Sequence, residues 1–215
     1  MFAGLSERAD AQTQHGAAGQ ATTASAGAID GGNDKASDSA AEAVVESLHA
    51  ALVEAMKSGA SVAFEQRSEQ LQPVIENSFD FPYIAKLVLA GHWKSLEPAQ
   101  LDRMSDTMRD LTVASYASNF NRYDDERFES RGVQTTGRGR KVVRSALVEA
   151  SGNTVSFDYL MHQTDAGLRI INVIAEGVSD LALKRSQYAA VIESEGFDQL
   201  LAKIHKQIAD MANDG

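Results

Sequence analysis

The spacing of apolar side chains divides the chain into unlike parts. Residues 1–38 hold Ala, Gly, Ser, Thr, Gln and Asn with hardly any large apolar side chain. From Ser39 onward apolar positions recur every three or four residues, the period of an amphipathic helix. After Asp124 the period falls to two, as in strands, and past Ser179 it becomes helical again. Helices, a strand meander, then helices predict an α+β fold.

In the helical part Val44, Leu48, Ala51, Leu52 and Ala55 share one face, with Gly59 as a C-terminal cap. A second helix from about Ser61 turns Phe64 and Leu71 inward and is expected to end or kink at Pro73. Pro82 opens a short helix that Gly91 closes before His92 and Trp93. Pro98 opens the longest one, where Leu101, Met104, Met108, Leu111 and Ser115 recur and Tyr116 and Phe120 extend the stripe. Strands are expected at 128–133, 142–149, 155–162 and 168–174, joined by Gly-rich turns short enough to demand antiparallel pairing. Alternation puts Phe157, Tyr159 and Met161 on one face, joined by Ile171, Val173 and Ala175 and by Val142 and Ala146. That face must bury itself against the helices. Whether the interior is filled or hollow does not follow from the pattern, and function turns on it.

Composition narrows the picture. The first 38 residues carry five acids (Glu7, Asp10, Asp30, Asp34, Asp38) and two bases (Arg8, Lys35). Such a segment buries too little apolar surface to offset its ordering entropy, so 1–38 is expected to be a flexible low-complexity tail and 39–215 a single domain. With no cysteine, disulfides and Cys-ligated zinc or iron–sulfur sites are excluded. A formal charge of −10 argues against a nucleic-acid partner, which needs a positive surface. No apolar run reaches the roughly 18 residues of a membrane span, and no basic, apolar, small-residue export signal is visible at the start.

Candidate chemistry is sparse. The five histidines (His15, His49, His92, His162, His205) lack metal-ligand spacing and read as surface or cap residues, so no metal and no cofactor is expected. No serine sits in a Gly-x-Ser-x-Gly elbow. An isomerase or dehydratase on a conical pocket, with Asp158 or His162 as base beside Tyr159, is a rival reading. Adjacent strand residues point to opposite faces, so Asp158 and Tyr159 cannot both line one pocket. The basic run at 137–141, with Arg131 and Arg144, reads as a charged turn that keeps a sheet edge from pairing, or else as a docking surface. A solid-cored adaptor is the third reading.

Five motifs in unbroken order resemble the toluene-tolerance, or MlaC-like, family of periplasmic lipid-binding proteins. They are residues 174–179 (IAEGVS), Phe157-Asp158-Tyr159, the turn Gly196-Phe197-Asp198-x-Leu200, residues 111–123 (LTVASYASNFNRY), and Phe79-Asp80 followed by 87–93 (LVLAGHW). The phrasing of 111–120 together with 183–192 is most similar to the hopanoid-associated subgroup HpnM. Leu168 and Asn172 depart from the tryptophan and aspartate that many members carry there. The resemblance implies an NTF2-like sheet of four strands packed against helices around an apolar cavity. It implies a non-enzymatic carrier of phospholipid or hopanoid, located in the periplasm. Its expected contacts are membrane-bound transport components and, transiently, the membrane surface. The wall expected for such a cavity is Val142, Ala146, Phe157, Tyr159, Met161, Ile171 and Val173 from the sheet, a face assignment that follows from alternation and could be reversed as a block. Trp93, Met104, Met108 and Tyr116 would face them from the helices.

Overall fold

A computed structural model describes residues 31–214. Six helices and five strands follow in order: α1 (Gly31–Ser58), α2 (Phe64–Ser78), α3 (Phe81–Leu89), α4 (Pro98–Asn119), β1 (Arg127–Thr135), β2 (Lys141–Val148), β3 (Thr154–Thr164), β4 (Gly167–Ala175), β5 (Val178–Ser179), α5 (Asp180–Glu195) and α6 (Phe197–Asp214). The sheet runs β1-β2-β3-β4-β5, antiparallel throughout. It has five strands where four were expected. The fifth is two residues long, too short for alternation to reveal, and pairs Val178 and Ser179 with the end of β4.

Local chemistry sets the boundaries. Asp80 caps α3 by accepting from the Tyr83 amide at 3.0 Å, and Pro82 sits in the first turn, where its missing N–H is no loss. Glu97 and Gln100 form a reciprocal capping box at the start of α4. Pro73, expected to end or kink α2, lies inside it. Its ring is exposed while Leu71 and Ile75 on either side are buried, so inward packing carries the helix through.

The core is the layer between the inner face of the sheet and the helices. Tyr159, Met161 and Ile170 meet Met104, Met108 and Leu111 of α4 and Leu48 and Leu52 of α1, every one at most 2% exposed. Pairing fixes the faces. Val143 stands opposite Tyr159, Ser145 opposite Phe157 and Lys141 opposite Met161, so Val143, Ser145 and Lys141 occupy the inner face. Val142 and Ala146 pair with Leu160 and Ser156 on the other face, which corrects their expected place beside Phe157, Tyr159 and Met161. In β4 a bulge opposite Leu160 and Met161 leaves Ile171 without a ladder partner, and Ile170 takes the place facing Met161.

Two buried cations clasp the helices in place. Arg67, fully buried, donates to the carbonyls of Ala117 (2.6 Å), Val62 (2.8 Å) and Gly59 (3.3 Å), binding the end of α4 to the turn after α1. Lys141 reaches across from β2 to Asp38 (2.7 Å), Asp34 (3.5 Å) and Thr135 (2.7 Å). That contact anchors the first turns of α1. The expected division at Asp38/Ser39 therefore falls inside a helix that starts at Gly31. Residues 1–30, the rest of the expected tail, lie outside the described residues.

Removing the Lys141 ammonium should release those turns. The two aspartates are partly exposed, at 68% and 37%, so the cost is below that of a fully buried pair, about 1–2 kcal/mol. Lys141→Ala should speed amide exchange over 34–41 roughly tenfold and leave 45–56 protected. Equal protection in both proteins would contradict the clasp.

Candidate functional site

Two hollows flank the core at opposite edges of the sheet. One lies between α3, α4, α5 and β4, and its wall includes Phe79, Ile84, Val88, Met108, Tyr116, Ile171, Val173 and Leu181. The polar groups at its rim are Thr112, Ser115, Asn172, Asp180 and Lys184, the last two joined as an ion pair. Its volume is about 50 Å³. That holds a water molecule or two, well short of the roughly 300–1,000 Å³ of an occupied ligand pocket. A cavity of lipid size, as expected from the sequence, is therefore not shown at this place among the described residues.

Of the eleven residues expected to form the wall, Met108, Tyr116, Ile171 and Val173 converge on this cavity. Phe157, Tyr159, Met161 and Met104 lie in the filled core between the two hollows. Trp93 sits half-buried in the turn after α3, with the Lys86 ammonium 5.9 Å above its ring, and Val142 and Ala146 face away. The expected wall left out Phe79, at the C-cap of α2, and Ile84, Val88 and Leu181. The last three belong to short or weakly amphipathic helices whose orientation only tertiary packing decides.

One side of this cavity is covered by α5, whose Leu181, Val191 and Ile192 are partly buried against the core. Within α5 only Tyr188 is buried. The helix is entered through Glu176 (φ 50) and Gly177 (φ 77) and left through Gly196 (φ 87), left-handed positions that turn the chain sharply at both ends. Asn172 steadies its start by accepting from the Leu181 amide at 3.0 Å and exchanging hydrogen bonds with Ser179. Burial, with a smaller contribution from the Asp180 carboxylate, pushes the Tyr116 phenol upward, so it stays protonated at the cavity.

The second hollow is an open cleft of about 520 Å³ between α1, β1 and β2. Val45, Val53, Phe128 and Val143 form its apolar floor, and Glu42, Glu46, Glu54, Glu126 and Arg127 its rim. His49 closes the floor. Its ring stacks on Phe128 at 3.8 Å with the planes 3° apart, and its Nε2 shares a 3.0 Å hydrogen bond with the Tyr159 hydroxyl. Expected at the surface or as a cap, His49 is instead 8% exposed. Its place four residues after Val45 and three before Leu52 was the available signal. Burial pushes its imidazole down to about 4, which keeps it neutral.

The rival catalytic residues stand elsewhere. Asp158 lies on the face opposite Tyr159, its carboxylate 3.9 Å from Arg144. His162 shares that outer face, bonded to the Asp80 cap at 2.8 Å, with its ring 4.5 Å from that of Tyr83. The basic run divides as well: Lys141 is the buried clasp, Arg140 donates to the Tyr83 hydroxyl at 3.1 Å, and the Arg138 side chain lies outside the described residues.

The fold is an antiparallel sheet packed over helices, with a hollow on either side of a filled core. Residues 46–206 match the model of the MlaC protein family, and the chain belongs to that family. The fold is shared with the phospholipid-binding protein from Ralstonia solanacearum, solved in complex with a phospholipid. The TM-score is 0.69 and the identity 17%, over 82% of this chain and 98% of that one.

The buried imidazole makes a pH prediction. Unfolded, His49 takes up a proton near 6.5; folded, only near 4. Between those values the unfolded chain binds more protons, so stability present above pH 6.5 is lost as pH falls toward 4. The loss from this group should be on the order of 2–3 kcal/mol between pH 7 and pH 4.5. Urea unfolding at the two pH values should show His49→Gln losing correspondingly less than the parent. An unchanged pH slope would contradict a buried neutral imidazole.

Proposed function

We propose that this chain is a carrier which holds a hydrophobic lipid, a phospholipid or a hopanoid, in the layer between sheet and helices. On this reading the protein is not an enzyme. It works in the periplasm on an NTF2-like scaffold, passing lipid between membrane-bound transport components. One observation carries the proposal: in a member of the MlaC family, Met108, Tyr116, Ile171 and Val173 meet around an apolar cavity. The phospholipid in the similarly folded Ralstonia protein supports the ligand class. The outward Asp158 and the engaged His162 favour the carrier over an isomerase or dehydratase.

The mechanism is partition. Each methylene moved from water into an apolar site contributes about 0.8 kcal/mol, so ten contribute roughly 8 kcal/mol without any directed hydrogen bond. That gain must offset the cost of opening a cavity of about 50 Å³ far enough to admit a chain. Two features keep the cost low. Met104, Met108 and Met161 are unbranched and repack around an irregular guest. Helix α5 has Tyr188 buried and Leu181, Val191 and Ile192 partly buried, so it gives up less apolar burial on shifting than α1 or α4 would.

Native mass spectrometry of gently purified protein should show a bound lipid, identified after solvent extraction. Ile84 and Leu181 are half-buried in the cavity wall, so a carboxylate there is tolerated by the fold but opposes a hydrocarbon guest. Ile84→Asp or Leu181→Asp should cut lipid occupancy at least tenfold while the protein remains folded by circular dichroism. Folded, delipidated parent protein that takes up no lipid from vesicles would overturn the proposal.

A further inference from the structure

Leu181 lines two hollows at once. It is part of the wall of the cavity between α4 and β4, and it also lines a surface groove of about 460 Å³ between α5 and the turn that follows α3. Ala90, Ala182, Arg185, Ser186 and Ala189 line the same groove. At this place one half-buried leucine stands between the cavity and the surface. The rest of the apolar wall offers no comparable route. Phe79, Val88, Met108, Tyr116, Ile171 and Val173 are each at most 8% exposed. The remaining edge is polar, with Thr112, Ser115 and the Asp180–Lys184 ion pair. A hydrocarbon chain crossing there would strip water from a charged pair, whereas the path past Leu181 asks only that an apolar side chain turn aside.

The backbone around Leu181 is fixed while its side chain is not. The residue sits in the first turn of α5, and its amide donates to the Asn172 side-chain oxygen at 3.0 Å. Ser179, which caps the helix, exchanges hydrogen bonds with the same Asn172. Those bonds tie the start of α5 to β4. They leave the leucine free to change rotamer toward the groove, a motion that breaks no hydrogen bond.

We propose that Leu181 is the gate of the cavity, and that the hydrocarbon of a bound lipid enters and leaves along the groove between α5 and the turn after α3. The inference rests on the carrier reading and adds the route to it. Leu181 then governs the rates of uptake and release as well as the fit of the bound chain.

The chain has no cysteine, so single thiols report on chosen places. Ser186→Cys lies on the exposed wall of the groove, and Asn77→Cys lies on a separate exposed hollow between α1 and α2. Each delipidated full-length variant is blocked with a bulky disulfide-linked dye and mixed with phosphatidylethanolamine–phosphatidylglycerol vesicles. Lipid in the re-isolated protein is then counted over time. The dye at Ser186→Cys should slow uptake roughly tenfold, and its release by dithiothreitol should restore the rate; the dye at Asn77→Cys should change nothing. Leu181→Ala should speed uptake and release alike, roughly tenfold, whereas a residue that only lined the wall would speed release alone. Parent-rate loading through the blocked groove, or unchanged uptake by Leu181→Ala, would overturn the gate while leaving the carrier intact. No uptake by the folded, unlabelled parent would instead overturn the carrier reading beneath it.

Discussion

The structure depends on burying one largely apolar sheet face against α1 and α4. Everything else is arranged around that layer. Tyr159 stands near its centre, 1% exposed, and can be buried there because His49 meets its hydroxyl from α1. The same contact holds the imidazole flat against Phe128 and forms the floor of the open cleft. A row of rings from Phe79 through Tyr116, Phe120 and Phe128 then runs between the two hollows. Such a layer is firmly filled in its middle and weakly filled at its edges, and the edges are where a guest can enter.

The helical and two-residue periods revealed the architecture because burial on one face leaves an unambiguous trace. The faces of individual strands were less legible. In β2 the sequence KVVRSALV places apolar side chains at both parities, so alternation within the strand cannot choose between Val142 and Val143. Pairing with Tyr159 chooses Val143. Ile171 was assigned by parity, yet reaches the cavity through a bulge that parity cannot foresee. The start of α1 was illegible for another reason. Its first turns are held by Lys141, more than a hundred residues away, and a polar segment looks the same whether or not a distant cation clasps it.

Half of the candidate site was within reach of the sequence. Met108 and Tyr116 follow from the stripe of α4, but nothing in that stripe says that the space beside them is small. The volume of a cavity is set by how neighbouring elements settle against one another. The open cleft was missed altogether because its histidine was weighed as a metal ligand or a surface group. A ring buried against another ring was the alternative left out, and neutrality by desolvation makes it physically available.

The closed cavity and the lipid reading meet in one requirement: the layer must dilate without unfolding. The clasps at Arg67 and Lys141 hold α1, α2 and α4 to one another and to the sheet, while α5 lies outside both. On the proposed carrier reading, expansion is directed toward α5. A crystal structure of the lipid-loaded protein tests this most directly. The account predicts hydrocarbon density between α4 and β4, against Met108, Tyr116, Ile171 and Val173, with α5 displaced and the remaining helices in register. A lipid bound only on the outer surface, over an interior packed as it is here, would contradict it.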